Sequence, residues 1–141
     1  MIKTDGLVHF SIPVIDLEES GRFYKELLGM EEVQKVPGLM IFLKCGEDYL
    51  VLCTAPKQAA PAIEDPGLVH HAFDVSEGEY DQAKEKLHAW GATVLRDEYR
   101  DDGVFNGRSL YFRDPSGNVL EVIDRSQFGR KVGTNPTRVT A

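Results

Sequence analysis

The sequence predicts an α+β fold in which one βαβββ module occurs twice, and three observations carry that prediction. The tetrapeptide Gly6-Leu7-Val8-His9 recurs as Gly67-Leu68-Val69-His70. Each copy runs into the same helix-start pattern, an oxygen-bearing side chain with a glutamate three residues later: Asp16-Leu-Glu-Glu19 and Ser76-Glu-Gly-Glu79. Each helix then stops at a glycine, Gly29 or Gly91, the residue that most easily adopts the left-handed turn closing a helix.

In the first strand, Phe10, Ile12 and Val14 alternate onto one face and His9, Ser11 and Pro13 onto the other. The helix that follows carries an apolar stripe of Leu17, Tyr24, Leu27 and Leu28, and its counterpart one of Tyr80, Ala83, Leu87 and Trp90. Three strands follow each helix, at about 33–36, 39–44 and 48–54 and again at about 93–98, 108–113 and 118–124. Turn formers separate them at Cys45-Gly-Glu-Asp48 and Asp114-Pro-Ser-Gly-Asn118. Gly91 to Phe112 spans 21 positions against 13 from Gly29 to Phe42. The surplus, around Asp97 to Gly107, is polar and reads as a loop over a site. The expected organisation is one domain over 1–124, with module one at 1–55, a proline-containing linker at 56–65, module two at 66–124, and a basic tail at 125–141.

Composition narrows the class without naming a reaction. The 141 residues, 42% of them hydrophobic, are enough for a real core. The net charge of −7 divides into −10 on residues 1–123 and +3 on residues 124–141. An acidic body argues against nucleic-acid binding, and no run of about 18 apolar residues suggests a membrane span. The first residues lack the pattern of a signal peptide. Two cysteines, Cys45 and Cys53, form no disulfide framework, which suits a reducing cytoplasm.

Three residues are ones a core would not choose. His9 and His70 are repeat-equivalent and project from equivalent strands on the face away from the helix, so two imidazoles can converge on one surface. Glu121 interrupts the apolar run Val119-Leu-Glu-Val-Ile123, where an ionised carboxylate is costly unless paired or bound to a cation. Two imidazoles and a carboxylate form the facial arrangement used for Fe(II), Mn(II) and related ions. Parity sends His71 to the helix side and the core, and His88 sits on the helix, facing solvent.

These residues resemble the glyoxalase/bleomycin resistance/extradiol dioxygenase superfamily, the vicinal oxygen chelate fold. The resemblance is carried by His9-Phe-Ser-Ile-Pro-Val-Ile-Asp16, Phe23-Tyr-Lys-Glu-Leu-Leu-Gly-Met30, His70-His-Ala-Phe73 and Leu110-Tyr-Phe-Arg-Asp-Pro-Ser-Gly-Asn-Val-Leu-Glu121, and spans about residues 5–124. It implies a half-open mixed β-barrel with the helices outside, and a homodimer whose metal ligands often come from both chains. It further implies one divalent ion, Fe(II) or Mn(II) first and Zn(II) or Ni(II) as alternatives, held by His9, His70 and Glu121.

Aligning the two hairpins sets Val51 opposite Glu121. Glyoxalase I-like enzymes carry a ligating glutamate there; valine can neither bind metal nor move a proton, which disfavours that chemistry. The leading expectation is a single-domain extradiol-type dioxygenase acting on a small substrate chelated through vicinal oxygens, with Tyr111 hydrogen-bonding the substrate. Ser11, Val51, Asp102, Phe105, Arg108 and Ser109 complete the expected substrate contacts. Fosfomycin-resistance thiol transferases or epoxide hydrolases are the alternative, for which Ser11, Ser109, Tyr111 and Arg130 are suggestive. A non-catalytic sequestering protein of the bleomycin-resistance kind is the other.

Overall fold

Both helix starts form as the sequence directs. In the computed structural model, which describes residues 1–55 and 68–129, the Glu19 amide donates to Asp16 Oδ1 at 2.9 Å and the Glu79 amide to Ser76 Oγ at 3.2 Å. The expected linker at 56–65 and the tail from residue 130 lie outside the described residues. The chain folds into two compact units. The first holds the described N-terminal half together with Pro115–Asn118, and the second holds the rest. No helix among the described residues is long and apolar enough to cross a membrane.

The first unit contains β1 (Phe10–Val14), helix α1 (Leu17–Arg22), β2 (Glu31–Val36), β3 (Met40–Cys45) and β4 (Asp48–Thr54). Its sheet has the order β1-β4-β3-β2, with β1 parallel to β4 and the other pairs antiparallel. Helix α1 does not continue as a regular α-helix: Phe23–Leu27 widen into a π-helical turn, closed by the Leu28 amide on the Phe23 carbonyl at 3.2 Å. The wider turn brings the adjacent rings of Phe23 and Tyr24 into the interior together, at 1% and 0% exposure. Gly21 lets the helix approach β3 closely, since a Cβ at that position would meet Ile41 Cδ1 at 2.7 Å and the isoleucine would have to shift. The turn Pro115–Asn118 belongs to the same unit. Ser116 Oγ accepts from the Ile15 amide at 2.8 Å, and Asn118 Nδ2 donates to the Pro13 carbonyl at 2.8 Å.

The second unit repeats the plan with β5 (His71–Asp74), α2 (Glu77–Trp90), β6 (Val94–Arg100), β7 (Gly107–Arg113) and β8 (Val119–Asp124), in the order β5-β8-β7-β6. Even the irregularities match, since each sheet shifts register at one place in its first hairpin strand, Glu32/Gln34 and Val94/Arg96. Helix α2 ends where expected, with Gly91 at φ 90° and its amide on the Leu87 and His88 carbonyls. Its stripe is shallower than the sequence suggests: Leu87 is buried, whereas Trp90 stays 38% exposed.

The expected loop is shorter than the sequence suggests. Phe42 and Tyr111, not Phe112, are the equivalent residues, because they oppose Val51 and Glu121 respectively. Strand β6 runs on to Arg100, so the loop is confined to 101–106. Asn106 shapes it through paired contacts with Gly103, accepting from its amide at 2.8 Å and donating to its carbonyl at 2.9 Å.

Strand β8 is buried along its whole length and divides its charges between two faces. On the helix side, Asp124 receives Arg108 Nη2 at 2.8 Å while Arg108 Nη1 reaches Asp81 at 2.7 Å, and the guanidinium lies 4.5 Å from the Tyr80 ring centroid. Burial works to raise the Asp124 pKa, but hydrogen bonds from Ser126 and Arg108 hold it below the ordinary aspartate range. This network ties the hairpin to α2. Gly107 is equally constrained, with φ 148° and an added Cβ falling 2.0 Å from the Asp124 carbonyl oxygen.

Two outcomes follow for stability. Gly107→Ala is expected to destabilise the protein by about 3 kcal/mol or more, or to prevent folding, because backbone on backbone cannot yield cheaply. Asp124→Asn is expected to cost about 2 kcal/mol in urea denaturation at pH 7. Because the folded carboxyl is depressed, its contribution is present above the unfolded value near 3.9. It is lost as pH falls through the folded value, so the gap between wild type and variant should close there.

Candidate metal and anion site

The opposite face of the second sheet carries the chemistry. Strand pairing aligns Ala72, Glu121, Tyr111 and Arg96 across it, and Glu98 with Ser109 one pair further along. His70 immediately precedes β5 and turns its ring toward the same place: Nε2 lies 3.0 Å from Glu121 Oε2. The His70 and Tyr111 rings meet edge to face at 5.2 Å between centroids. Glu121 is 6% exposed, Tyr111 2% and Ser109 1%. Burial pushes the Tyr111 phenol up to about 12, and the Glu121 carboxylate it hydrogen-bonds adds to the shift. Tyr111 therefore holds its proton near neutral pH and acts as a donor.

The donor set suits a divalent cation. An imidazole nitrogen and a carboxylate oxygen converge in a buried spot, the borderline and hard ligands that Mn(II) and Fe(II) accept together. His70 Nδ1 is buried without a hydrogen-bond partner among the described residues. An arrangement selected for stability alone would retain neither a buried carboxylate nor an orphaned ring nitrogen. The pair is what the second unit supplies. Among the described residues no group of three His, Cys, Asp or Glu is gathered as a metal site.

His9 lies in the first unit, exposed just ahead of β1. Ser11 is exposed on β1 and Val51 is buried on β4, directly paired with each other. Val51 takes in the first sheet the place Glu121 takes in the second, between Ser11 and Phe42 as Glu121 stands between Ala72 and Tyr111. Asp102 and Phe105 are exposed on the loop 101–106, Phe105 at 56%. Arg108 leaves the expected set. Parity turns it to the helix side, away from Ser109 and Tyr111, and its guanidinium is held by Asp124 and Asp81. His71 is half-buried and His88 exposed; burial, with the His70 neighbour second, lowers the His71 pKa.

Arg96, Glu98 and Arg100 had no place in the sequence expectation. They share the site face by the period-two alternation of β6, which runs two residues beyond the strand expected at about 93–98. Arg96 stands over the Tyr111 ring at 5.6 Å.

The sequence profile of the glyoxalase/bleomycin resistance protein/dioxygenase superfamily matches residues 6–122. The glutathione transferase FosA of Serratia marcescens is 28% identical over 117 residues, covering 83% of this chain and 79% of that protein. The metallothiol transferase FosB of Shouchella clausii is 29% identical over 118 residues, covering 84% and 79%. Among solved structures, a lactoylglutathione lyase from Agrobacterium tumefaciens superposes with a TM-score of 0.66 at 26% identity, covering 89% of this chain and 98% of that one. The fosfomycin resistance protein FosX of Listeria monocytogenes, complexed with Mn(II) and sulfate, gives 0.71 at 21% identity, covering 91% and 98%, and shares the fold. Both of these sequence relatives are named as transferases, and neither as a ring-cleaving dioxygenase. The profile match runs through both βαβββ units, and the chain belongs to the glyoxalase/bleomycin resistance protein/dioxygenase superfamily.

Proposed function

We propose that this protein is a divalent-metal-dependent thiol transferase that opens the epoxide of a small anionic phosphonate of the fosfomycin type. The observation that carries the reading is the pairing of half-buried His70 with buried Glu121, 3.0 Å apart, with the Tyr111 hydroxyl beside it on a face that also bears Arg96 and Arg100. The fosfomycin-resistance and thiol-transferase names of its relatives support the substrate and the co-substrate.

His70 and Glu121 would hold the ion, with His9 proposed as the third ligand in a homodimer. When bound, that ion supplies Lewis-acid polarisation of the epoxide oxygen. The thiol sulfur attacks an epoxide carbon, the carbon–oxygen bond breaks, and the freed oxygen takes up a proton to become a hydroxyl. Tyr111, its phenol held protonated, donates a hydrogen bond to the oxygen on which charge develops. Arg96 and Arg100 orient the phosphonate by charge-assisted hydrogen bonds, and the Ser109 hydroxyl offers a further donor. Val51 supports transfer from a thiol over addition of water: a valine cannot deprotonate a water, whereas a thiol brings a nucleophile that ionises by itself near neutral pH.

The test is to incubate the Mn(II)-loaded protein with fosfomycin and, in separate reactions, glutathione, L-cysteine and bacillithiol, following product by phosphorus NMR and mass spectrometry. A one-to-one adduct with one of these thiols is expected. No adduct with any thiol, together with oxygen uptake on a catechol by the Fe(II)-loaded protein, would return the assignment to ring cleavage. Glu121→Gln and His70→Ala are each expected to weaken Mn(II) binding by about 100-fold or more, read by calorimetry. Tyr111→Phe should retain the metal and lose about 100-fold in kcat.

A further inference from the structure

Strand β6 places three charges in a row on the site face, Arg96, Glu98 and Arg100, each two residues from the next. Glu98 lies between the arginines, accepting a hydrogen bond from Arg100 Nη2 at 2.8 Å and forming a looser ion pair with Arg96 Nη1 at 3.8 Å. It stands directly across from the buried Ser109, one pair along from Tyr111. Ion pairs this exposed contribute little to stability, so folding alone gives no reason for a carboxylate here. The helix-side residues of the same strand are engaged differently, with Asp97 bonded to Tyr80 and Lys84 of α2. The alternation therefore turns Glu98 to the site face, beside Arg96 and Arg100.

We propose that Glu98 is a built-in counter-ion occupying an anion subsite formed by Arg96 and Arg100, and that it sets how tightly this protein takes a substrate's negative group. The carboxylate pairs with the two guanidiniums near Ser109 and Tyr111 until an anion displaces it. Affinity is then the difference between two anions competing for one pair of cations. Burial works against the charge of Arg100, yet Glu98 keeps its pKa above the ordinary value, with Tyr111 and Glu121 adding to the effect. The chemistry recognised is a tetrahedral or planar oxyanion such as a phosphonate, phosphate or carboxylate. A neutral substrate gains nothing from this arrangement, which makes Glu98 a specificity-determining residue.

The proposal shares with the proposed function only the premise of an anionic substrate. Its probe is inorganic phosphate, titrated into the full chain by calorimetry at low ionic strength, with and without Mn(II). Glu98→Gln removes the charge and keeps the size, and it should bind phosphate about tenfold more tightly than wild type. The gain should shrink at high salt as screening weakens both competitors. Glu85→Gln, at an exposed position of α2 on the other side of the sheet, changes net charge equally and should move affinity less than twofold. Adding Arg96→Gln to Glu98→Gln should abolish the gain. Should Glu98→Gln fail to fold by circular dichroism, Glu98→Ala decides in its place. Unchanged or weaker phosphate binding in the folded variant, or a gain matched by Glu85→Gln, would overturn the proposal. Phosphate binding requires neither thiol nor epoxide, so absence of a fosfomycin adduct would defeat the reaction and leave this result standing.

Discussion

Two carboxylates on one fully buried strand are the constraint around which the second unit is arranged. An ion taken out of water needs a partner close by, and β8 meets that need differently on its two sides. Asp124 is neutralised outright by Arg108, which also grips α2 through Asp81. Glu121 meets instead an imidazole and a phenol. One side is electrically complete and closes the fold. The other keeps a buried carboxylate beside an imidazole nitrogen, the donors a divalent cation accepts together.

The architecture was legible because it was written twice. A repeated tetrapeptide, two caps and two helix-stopping glycines located the elements with little help from propensity, and the caps formed with the expected partners. The surplus in the second hairpin was visible as a length but not as a structure. Polar residues around Tyr99 look like loop until the pairing partner is known, because strand preference reflects neighbours more than the chain itself. That reading concealed Arg100, while Arg96 and Glu98 lay on or at the end of an expected strand whose faces had not been assigned. The pairing of His70 with Glu121 could be anticipated, since a lone carboxylate in an apolar strand and a histidine on the adjoining strand have few other ways to be accommodated. Arg108 could not be placed by residue type, which suggests binding. Counting from Leu110 and Phe112 along β7 sends it to the helix side.

The two halves keep one geometry and divide the labour. At corresponding register positions stand Val51 and Glu121, Phe42 and Tyr111, Gln34 and Arg96, Ser11 and Ala72. The first sheet presents apolar or uncharged groups at nearly every place where the second presents a charge or a hydroxyl. Only the histidine of the repeated tetrapeptide is common to both. A duplicated module whose copies had equal roles would retain the carboxylate in both; here Val51 stands where the second copy keeps Glu121.

The alternation of β6 and β8 has a consequence for how such a protein changes over time. Residues that lock the hairpin to α2 and residues that face the site alternate along each strand, so a substitution at Glu98 or Arg96 leaves the Arg108, Asp81 and Asp97 contacts untouched. Selection for a new ligand can explore one surface of the sheet while the other preserves the fold. A ribbon two side chains deep thus behaves as two nearly independent inheritances, one conservative and one free to drift toward whatever molecule a cell next encounters.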